Sequence, residues 1–207
     1  MNNRINYLLP TETKELFNVI KNDHSKNAIR NMSIFQIAKY CGLRASEIGL
    51  ITINDYDPSR QQIYCRRLKH SQSNTMRIID PDVINALNSY YSERILNHDS
   101  GSKALFISNK GNPISRKQLD VLMKKYSSAT SIPEEKRHFH VLKHTRAVEL
   151  ADTGVNVQDI QWWLGHKRID NTLIYMQFTT KQQENLYKYL EMELNHEQET
   201  SNYYYTR

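Results

Sequence analysis

The 207-residue chain has little of what flexible or cross-linked proteins are rich in: six glycines, five prolines and two cysteines. So few glycines and prolines argue against long linkers and for one compact, mostly helical body. Cys41 and Cys65 are too few for a disulfide framework and point to a reducing, cytoplasmic setting, with a single bridge between them left open. No apolar run approaches the roughly 18 residues of a membrane span. The opening Met-Asn-Asn-Arg-Ile-Asn has no signal-peptide core. No internal repeat is visible. Membrane-spanning and disulfide-scaffold classes are therefore set aside, and a domain of this length can bury roughly 70% of its unfolded surface without any staple.

Charge is the first positive signal. Lysine and arginine number 28 against 22 for aspartate and glutamate, a net +6. Residues 184–200 are rich in glutamate, so the rest of the chain is more basic than the mean. A basic body suits a polyanion such as double-stranded DNA; a basic surface with no partner is the plainer alternative.

Apolar spacing outlines the elements. Leu16, Phe17 and Ile20 predict a first helix opening at Leu9-Pro10-Thr11-Glu12, with Thr11 as its cap. Ser25 is expected to cap the next, which Gly42 ends. A short helix follows over 45–50. The period then changes: Ile51-Thr-Ile53, Gln62-Ile-Tyr-Cys-Arg-Arg and Met76-Arg-Ile-Ile79 read as strands of a small antiparallel sheet. Asp57-Pro58-Ser59-Arg60 is a turn between them, and residues 69–74 form a polar hairpin loop. Pro81 starts a helix, and Leu105-Phe-Ile107 reads as a brief strand. Residues 115–127, 140–152, 156–164, 170–177 and 180–194 read as helices, with Gly154 and Gly165 as stops. Ile160, Trp162, Trp163 and Leu164 look buried. The fold class is mainly α with a small three-stranded antiparallel β-sheet. Residues 1–195 form the domain, and 196–207 a tail expected to be disordered.

Three phrases carry chemistry. Arg44, after Gly42-Leu43 and at a helix start, would offer a bound phosphate a guanidinium fork beside backbone N–H groups; a salt bridge to Glu47 is the structural alternative. His140, Lys143 and His144 share one helix face, a costly clustering unless an anion neutralises it. His138, His140 and His144 also raise zinc, two histidines at i, i+4 being the zincin spacing. Position 141, however, is valine where that motif has its glutamate. His166 sits in a tight turn after Leu164-Gly165, and Tyr175 follows nine residues later. Alone, Tyr175 would read as an ordinary half-buried helix tyrosine.

Together, in this order and with these internal spacings, Gly42-Leu-Arg44-Ala-Ser-Glu47, His140-Val-Leu-Lys143-His144 and Leu164-Gly-His166 followed by Tyr175 resemble the tyrosine recombinase (phage integrase) family. The resemblance runs from about Leu9 to about Tyr189 and implies that family's catalytic-domain fold. It implies that Tyr175 is the nucleophile on a DNA phosphate, forming a 3′-phosphotyrosyl link with no cofactor and no metal. Arg44, His140 and His166 match further catalytic positions, and Lys69 in the hairpin loop matches the family's β-hairpin lysine. Glu47 matches a supporting acidic residue. Arg66, Arg67, His70, Arg146 and Lys167 are the expected DNA contacts.

One position departs: the family's second arginine is here Lys143, a point charge on a flexible stem in place of a rigid fork. The resemblance further implies a homotetramer on DNA with exchange of the C-terminal helix. A core-binding domain often precedes the family's catalytic domain; with the first helix opening near residue 11, none is expected within these residues, as in a chain cut to its catalytic domain or a naturally short recombinase. The expected activity is site-specific integration, excision or inversion. Relaxation by the same tyrosine chemistry, a DNA-binding protein of this fold without cleavage, and a zinc-binding protein are the alternatives.

Overall fold

The computed structural model describes residues 5–68, 71–96 and 101–177, together with Tyr187 and Glu191. Helix α2 (Ala28–Cys41) is the axis of the molecule. Asn31, Ser33, Ile34, Phe35, Ile37, Ala38, Tyr40 and Cys41 are all buried, so apolar side chains point outward around most of the helix, the pattern of an internal helix. It is covered by α1 (Pro10–Lys21), α4 (Pro81–Leu96) and α6 (Val141–Asp152). Phe35 packs edge-on against Tyr126 of α5 (Arg116–Ser127) and against Phe139, with ring centroids 5.5 and 5.2 Å apart. A smaller cluster, Ala147, Val148, Leu150, Ala151, Ile160, Leu164 and Tyr175, joins α6 to α7 (Val157–Leu164) and α8 (Asp170–Met176).

The three-stranded sheet is present, ordered β1 (Tyr56–Asp57), β2 (Gln62–Cys65), β3 (Asn74–Arg77), all antiparallel. Its first strand is not the expected 51–53. Residues Ile53–Asp55 instead form a 3-10 turn, because the Asp55 carboxylate accepts from the Thr52 N–H and hydroxyl, both at 2.7 Å, and curls the chain. Leu105-Phe-Ile107 makes only single bridges at its flanks, Thr52 to Ala104 and Ile107 to Pro113.

Two caps differ from the sequence reading. Helix α1 is capped by Glu12, whose Oε2 accepts from the Leu9 N–H at 2.7 Å; Asn27, not Ser25, precedes α2. Trp162 is 52% exposed, since it sits on the outer face of α7 while Ile160 and Leu164 face in. Of the helix expected over 180–194, only Tyr187 and Glu191 are described; both are helical and exposed. The tail over 196–207 lies outside the described residues.

Candidate active site

Two helix ends of the same design build the site. Gly42 follows α2 at φ +59° and Gly165 follows α7 at φ +66°. In each case the next residue's N–H reaches five residues back, Leu43 to the Ala38 carbonyl at 2.9 Å and His166 to the Gln161 carbonyl at 3.0 Å. These are Schellman closures, for which a left-handed glycine is the natural residue. They turn the chain sharply, so Arg44 and His166 leave their helices toward each other's neighbourhood.

Arg44 starts α3 (Ala45–Ile48) and is held by Glu47, whose carboxylate accepts from the Arg44 backbone N–H and from Nη1, both at 2.9 Å. Nη1 also donates to Ser71 Oγ at 3.0 Å. The salt bridge weighed as an alternative to function is thus present, and it leaves the guanidinium about one-third exposed. Glu47 has no exposure at all. Burial opposes its ionisation, but the Arg44 N–H and the charges of Lys143, Arg67 and Arg44 outweigh that and hold its carboxyl below the usual range.

Arg67 fills the space between the two helix ends. Its Nη1 donates to Gly42 O and Glu47, and its Nη2 to Cys41 O and Trp163 O at 2.9 Å each. It thereby serves carbonyls at the C-termini of α2 and α7, where a cation also meets the negative helix ends. Asn74 takes the Trp162 carbonyl at 2.8 Å and Lys143 Nζ the Leu164 carbonyl at 2.8 Å.

Lys143 is 1% exposed. Burial, then Arg67 and Arg44, push its ammonium well below its ordinary value. An ammonium has three donors, and one of them is given to Leu164. His140 precedes α6, and its ring meets that of His144 edge-on at 4.5 Å. His166 is 5% exposed, with Nδ1 2.9 Å from Thr172 Oγ1. Burial above all, reinforced by neighbouring cations and imidazoles, lowers His140 and His166 to about 3 and His144 to about 4. All three imidazoles are therefore neutral at pH 7.

Tyr175 is 2% exposed, its ring parallel to that of His166 at 6.5 Å, and its hydroxyl lies 2.8 Å from His144 Nδ1. Burial raises the phenol to about 12, with the Arg44 charge working the other way. A cavity of about 490 Å³ runs from Arg44 and His140 past His138 and Arg137 to Lys124 and Arg116 of α5, with Asp120 the one acid on its wall. The constellation is a buried phenol facing neutral imidazoles and more cations than carboxylates, an arrangement that favours binding of an anion.

The remaining candidate residues scatter. Arg66 is outside the cluster, paired twice with Asp55 at 2.9 Å. Arg67 is 8% exposed, so its guanidinium has no open face for a duplex. The alternation Ile63, Cys65, Arg67 buried against Tyr64, Arg66, Leu68 exposed continues past the end of β2 and was the signal for it. Arg146 lies over Trp163 and Tyr40, its guanidinium carbon 4.8 and 5.3 Å from the ring centroids, and pairs with Glu149 at 3.6 Å. Lys167 is exposed, next to the His166 turn. Lys69 and His70 lie outside the described residues. A zinc site at His138, His140 and His144 finds no support in the arrangement: among the described residues no three His, Cys, Asp or Glu side chains are grouped to hold a metal. Thr172, Ser71 and the bond from His144 to Tyr175 were not foreseen, because each depends on how segments distant in sequence meet.

The phage integrase family model matches residues 6–182. The type 1 fimbriae regulatory protein FimB of Escherichia coli (strain K12) is 32% identical over 174 residues, 84% of this chain and 85% of FimB. Tyrosine recombinase XerC of Listeria innocua serovar 6a is 29% identical over 185 residues, 85% of this chain and 59% of XerC. The chain thus spans a little over half the length of that relative. The crystal structure of XerA recombinase superposes with a TM-score of 0.73 at 26% identity, over 88% of this chain and 62% of that one. XerH site-specific recombinase, in a post-cleavage complex with a palindromic difH substrate, shares the fold with a TM-score of 0.74 at 20% identity, over 92% of this chain and 54% of XerH. With the three phrases gathered around one buried phenol, and with these likenesses, the chain belongs to the phage integrase family of tyrosine recombinases.

Proposed function

We propose that the chain cleaves and rejoins double-stranded DNA through a covalent 3′-phosphotyrosyl intermediate at Tyr175, as a site-specific recombinase. The observation that carries this reading is the buried Tyr175 hydroxyl 2.8 Å from His144 Nδ1, with the His166 ring alongside the phenol and Arg44, Arg67 and Lys143 clustered around Glu47.

The chemistry follows from charge. As Tyr175 Oη bonds to phosphorus and the bond to the 5′-oxygen breaks, negative charge grows on the non-bridging oxygens. Preorganised donors aimed there supply the largest share of such catalysis. Arg44, Lys143 and His166 fill that role, with His140 assisting; Lys143 brings the donors not committed to Leu164. The phenolic proton passes to the imidazole cluster, and Lys69 protonates the departing 5′-oxygen. One phosphoester replaces another, so the step needs no ATP and no metal. A 5′-hydroxyl from a second strand reverses it, and four such exchanges in a homotetramer, with the C-terminal helices exchanged between neighbours, recombine two sites. Arg116, Lys124 and Arg137 carry the same strand's backbone away from the reacting phosphate, with Lys167 and Arg146 as further contacts.

Nicked suicide duplexes tiled across the DNA flanking the coding region test this directly. A covalent protein–DNA adduct should form, persist in EDTA and disappear in Tyr175→Phe. Tight, salt-sensitive binding without any adduct on every duplex would instead favour a DNA-binding protein of the same fold.

A further inference from the structure

The hydroxyl of Tyr175 has a partner to which the recombinase reading gives no role of its own. Among the described residues its hydrogen bond is with His144 Nδ1, at 2.8 Å. His144 lies one turn after His140 on α6, and Tyr175 lies on α8, 31 residues further along the chain. Both side chains are fixed. The His140 ring abuts the His144 ring edge-on at 4.5 Å, which limits rotation of the imidazole. On the tyrosine side, the His166 ring lies nearly parallel to the phenol, at 15° between planes, and is itself tied to Thr172. The phenol is thus bounded by one imidazole at its hydroxyl and another along its ring.

We propose that His144 is a further catalytic residue of this chain, accepting the Tyr175 hydroxyl hydrogen at Nδ1 so that the oxygen's lone pairs, and not its proton, face the phosphate. A hydroxyl has one proton and two lone pairs. If the proton points at His144, the lone pairs point elsewhere, and the lone pairs are what bonds to phosphorus. A free hydroxyl would donate its hydrogen to a phosphate oxygen instead, which is the wrong geometry for attack. A buried hydroxyl also seeks a partner, so the preference for His144 is present before DNA arrives. The tautomer this requires carries its proton on Nε2 and leaves Nδ1 bare, which the neutral imidazole permits.

The proposal rests on the recombinase reading, and the experiment separates the two. Adduct formation is followed in single turnover at saturating suicide duplex, alongside duplex affinity and thermal midpoint, for the parent chain and for His144→Phe, His144→Asn and His144→Gln. Asparagine places its amide oxygen near the position of Nδ1, whereas glutamine places it near Nε2. His144→Phe is expected to slow adduct formation at least about tenfold, the worth of one such hydrogen bond, with affinity changed less than about twofold. His144→Asn should recover most of that loss and His144→Gln should not.

A second measurement is independent of activity and of how well the phenylalanine variant folds. Imidazole ¹⁵N NMR of the DNA-free protein should show His144 protonated on Nε2, with an Nδ1 resonance that moves in Tyr175→Phe. Cleavage by His144→Phe within about twofold of the parent, equal rates for the asparagine and glutamine variants, or a proton on Nδ1 overturns the proposal while the recombinase reading stands. A parent chain that forms no adduct overturns both.

Discussion

Lys143, which the resemblance sets against an arginine of the family's pattern, has surroundings that suit the role proposed for it. The ammonium is walled in by α7 and anchored to the Leu164 carbonyl, so the flexible stem that makes lysine a poor substitute for arginine is already ordered. The low-dielectric setting that depresses its ionisation also strengthens its pull on an incoming phosphate. Lys143→Arg should cleave as fast as the parent or faster, and Lys143→Met should lose about 10²-fold; single-turnover adduct rates check both, and a large loss in the arginine variant would show that the lysine is specifically required. At this scale the sequence was informative where several spaced phrases, and no single residue type, picked out a position. Tyr175, Arg44, His140 and His166 come together as their phrases imply. It misled at Arg67, where two adjacent arginines look alike on paper and only the alternation from Ile63 and Cys65 tells which one turns inward. The bond of His144 to Tyr175 was beyond reach, because it depends on the angle at which α8 crosses α6.

At the scale of elements, the site depends on where α2 and α7 stop. Both end at a left-handed glycine, and the two ends interlock: a Cβ on Gly42 would lie 2.5 Å from Leu164 Cδ2, and one on Gly165 would lie 2.6 Å from the Gln72 carbonyl oxygen and 2.9 Å from Arg67 Nε. The Gly165 contact with Gln72 is backbone, from the loop that also bridges Ser71 to His166, and it cannot be relieved by a rotamer change. Gly165→Ala should therefore destabilise by more than about 1 kcal/mol, lowering the thermal midpoint by about 2–4 °C per kcal/mol in a protein of this size. Its adduct rate should fall further than its stability, because His166 and the loop shift with it. A thermal midpoint equal to the parent's would show that the helix end is not strained by the extra methyl. The helices were legible because their apolar residues recur at a steady period and glycines mark their ends. The first strand was not: Ile51-Thr-Ile53 has strand composition, yet the Asp55 side chain captures the Thr52 N–H and turns the segment into a 3-10 helix. Composition describes what a segment tolerates, and a single side-chain hydrogen bond decided what it does.

For the molecule as a whole, the site is a store of unfavourable charge awaiting a counter-ion. His140, His144 and His166 titrate near 6.5 when unfolded but at about 3 to 4 when folded, because burial and the facing Lys143, Arg44, Arg67 and His138 oppose a further positive charge. Between these values the unfolded chain binds more protons, so stability is fully present above about pH 6.5 and is lost as the pH falls toward 4. Thermal midpoints should hold from pH 8 to about pH 6.5 and then drop toward pH 5, and duplex DNA should flatten the decline by supplying the missing negative charge; a flat profile down to pH 5 without DNA would contradict the depressed imidazoles. The same balance gives Glu47 a wider reach than its place beside Arg44 suggests. It is the carboxylate on which Arg44, Arg67 and the Leu68 amide converge, and a buried cation cluster stripped of it costs about 3–5 kcal/mol. Random variants selected only for abundance in cells, with no demand for recombination, would therefore still keep Glu47. Protein quality control would guard the anchor of Arg44 without ever sensing the reaction proposed for it.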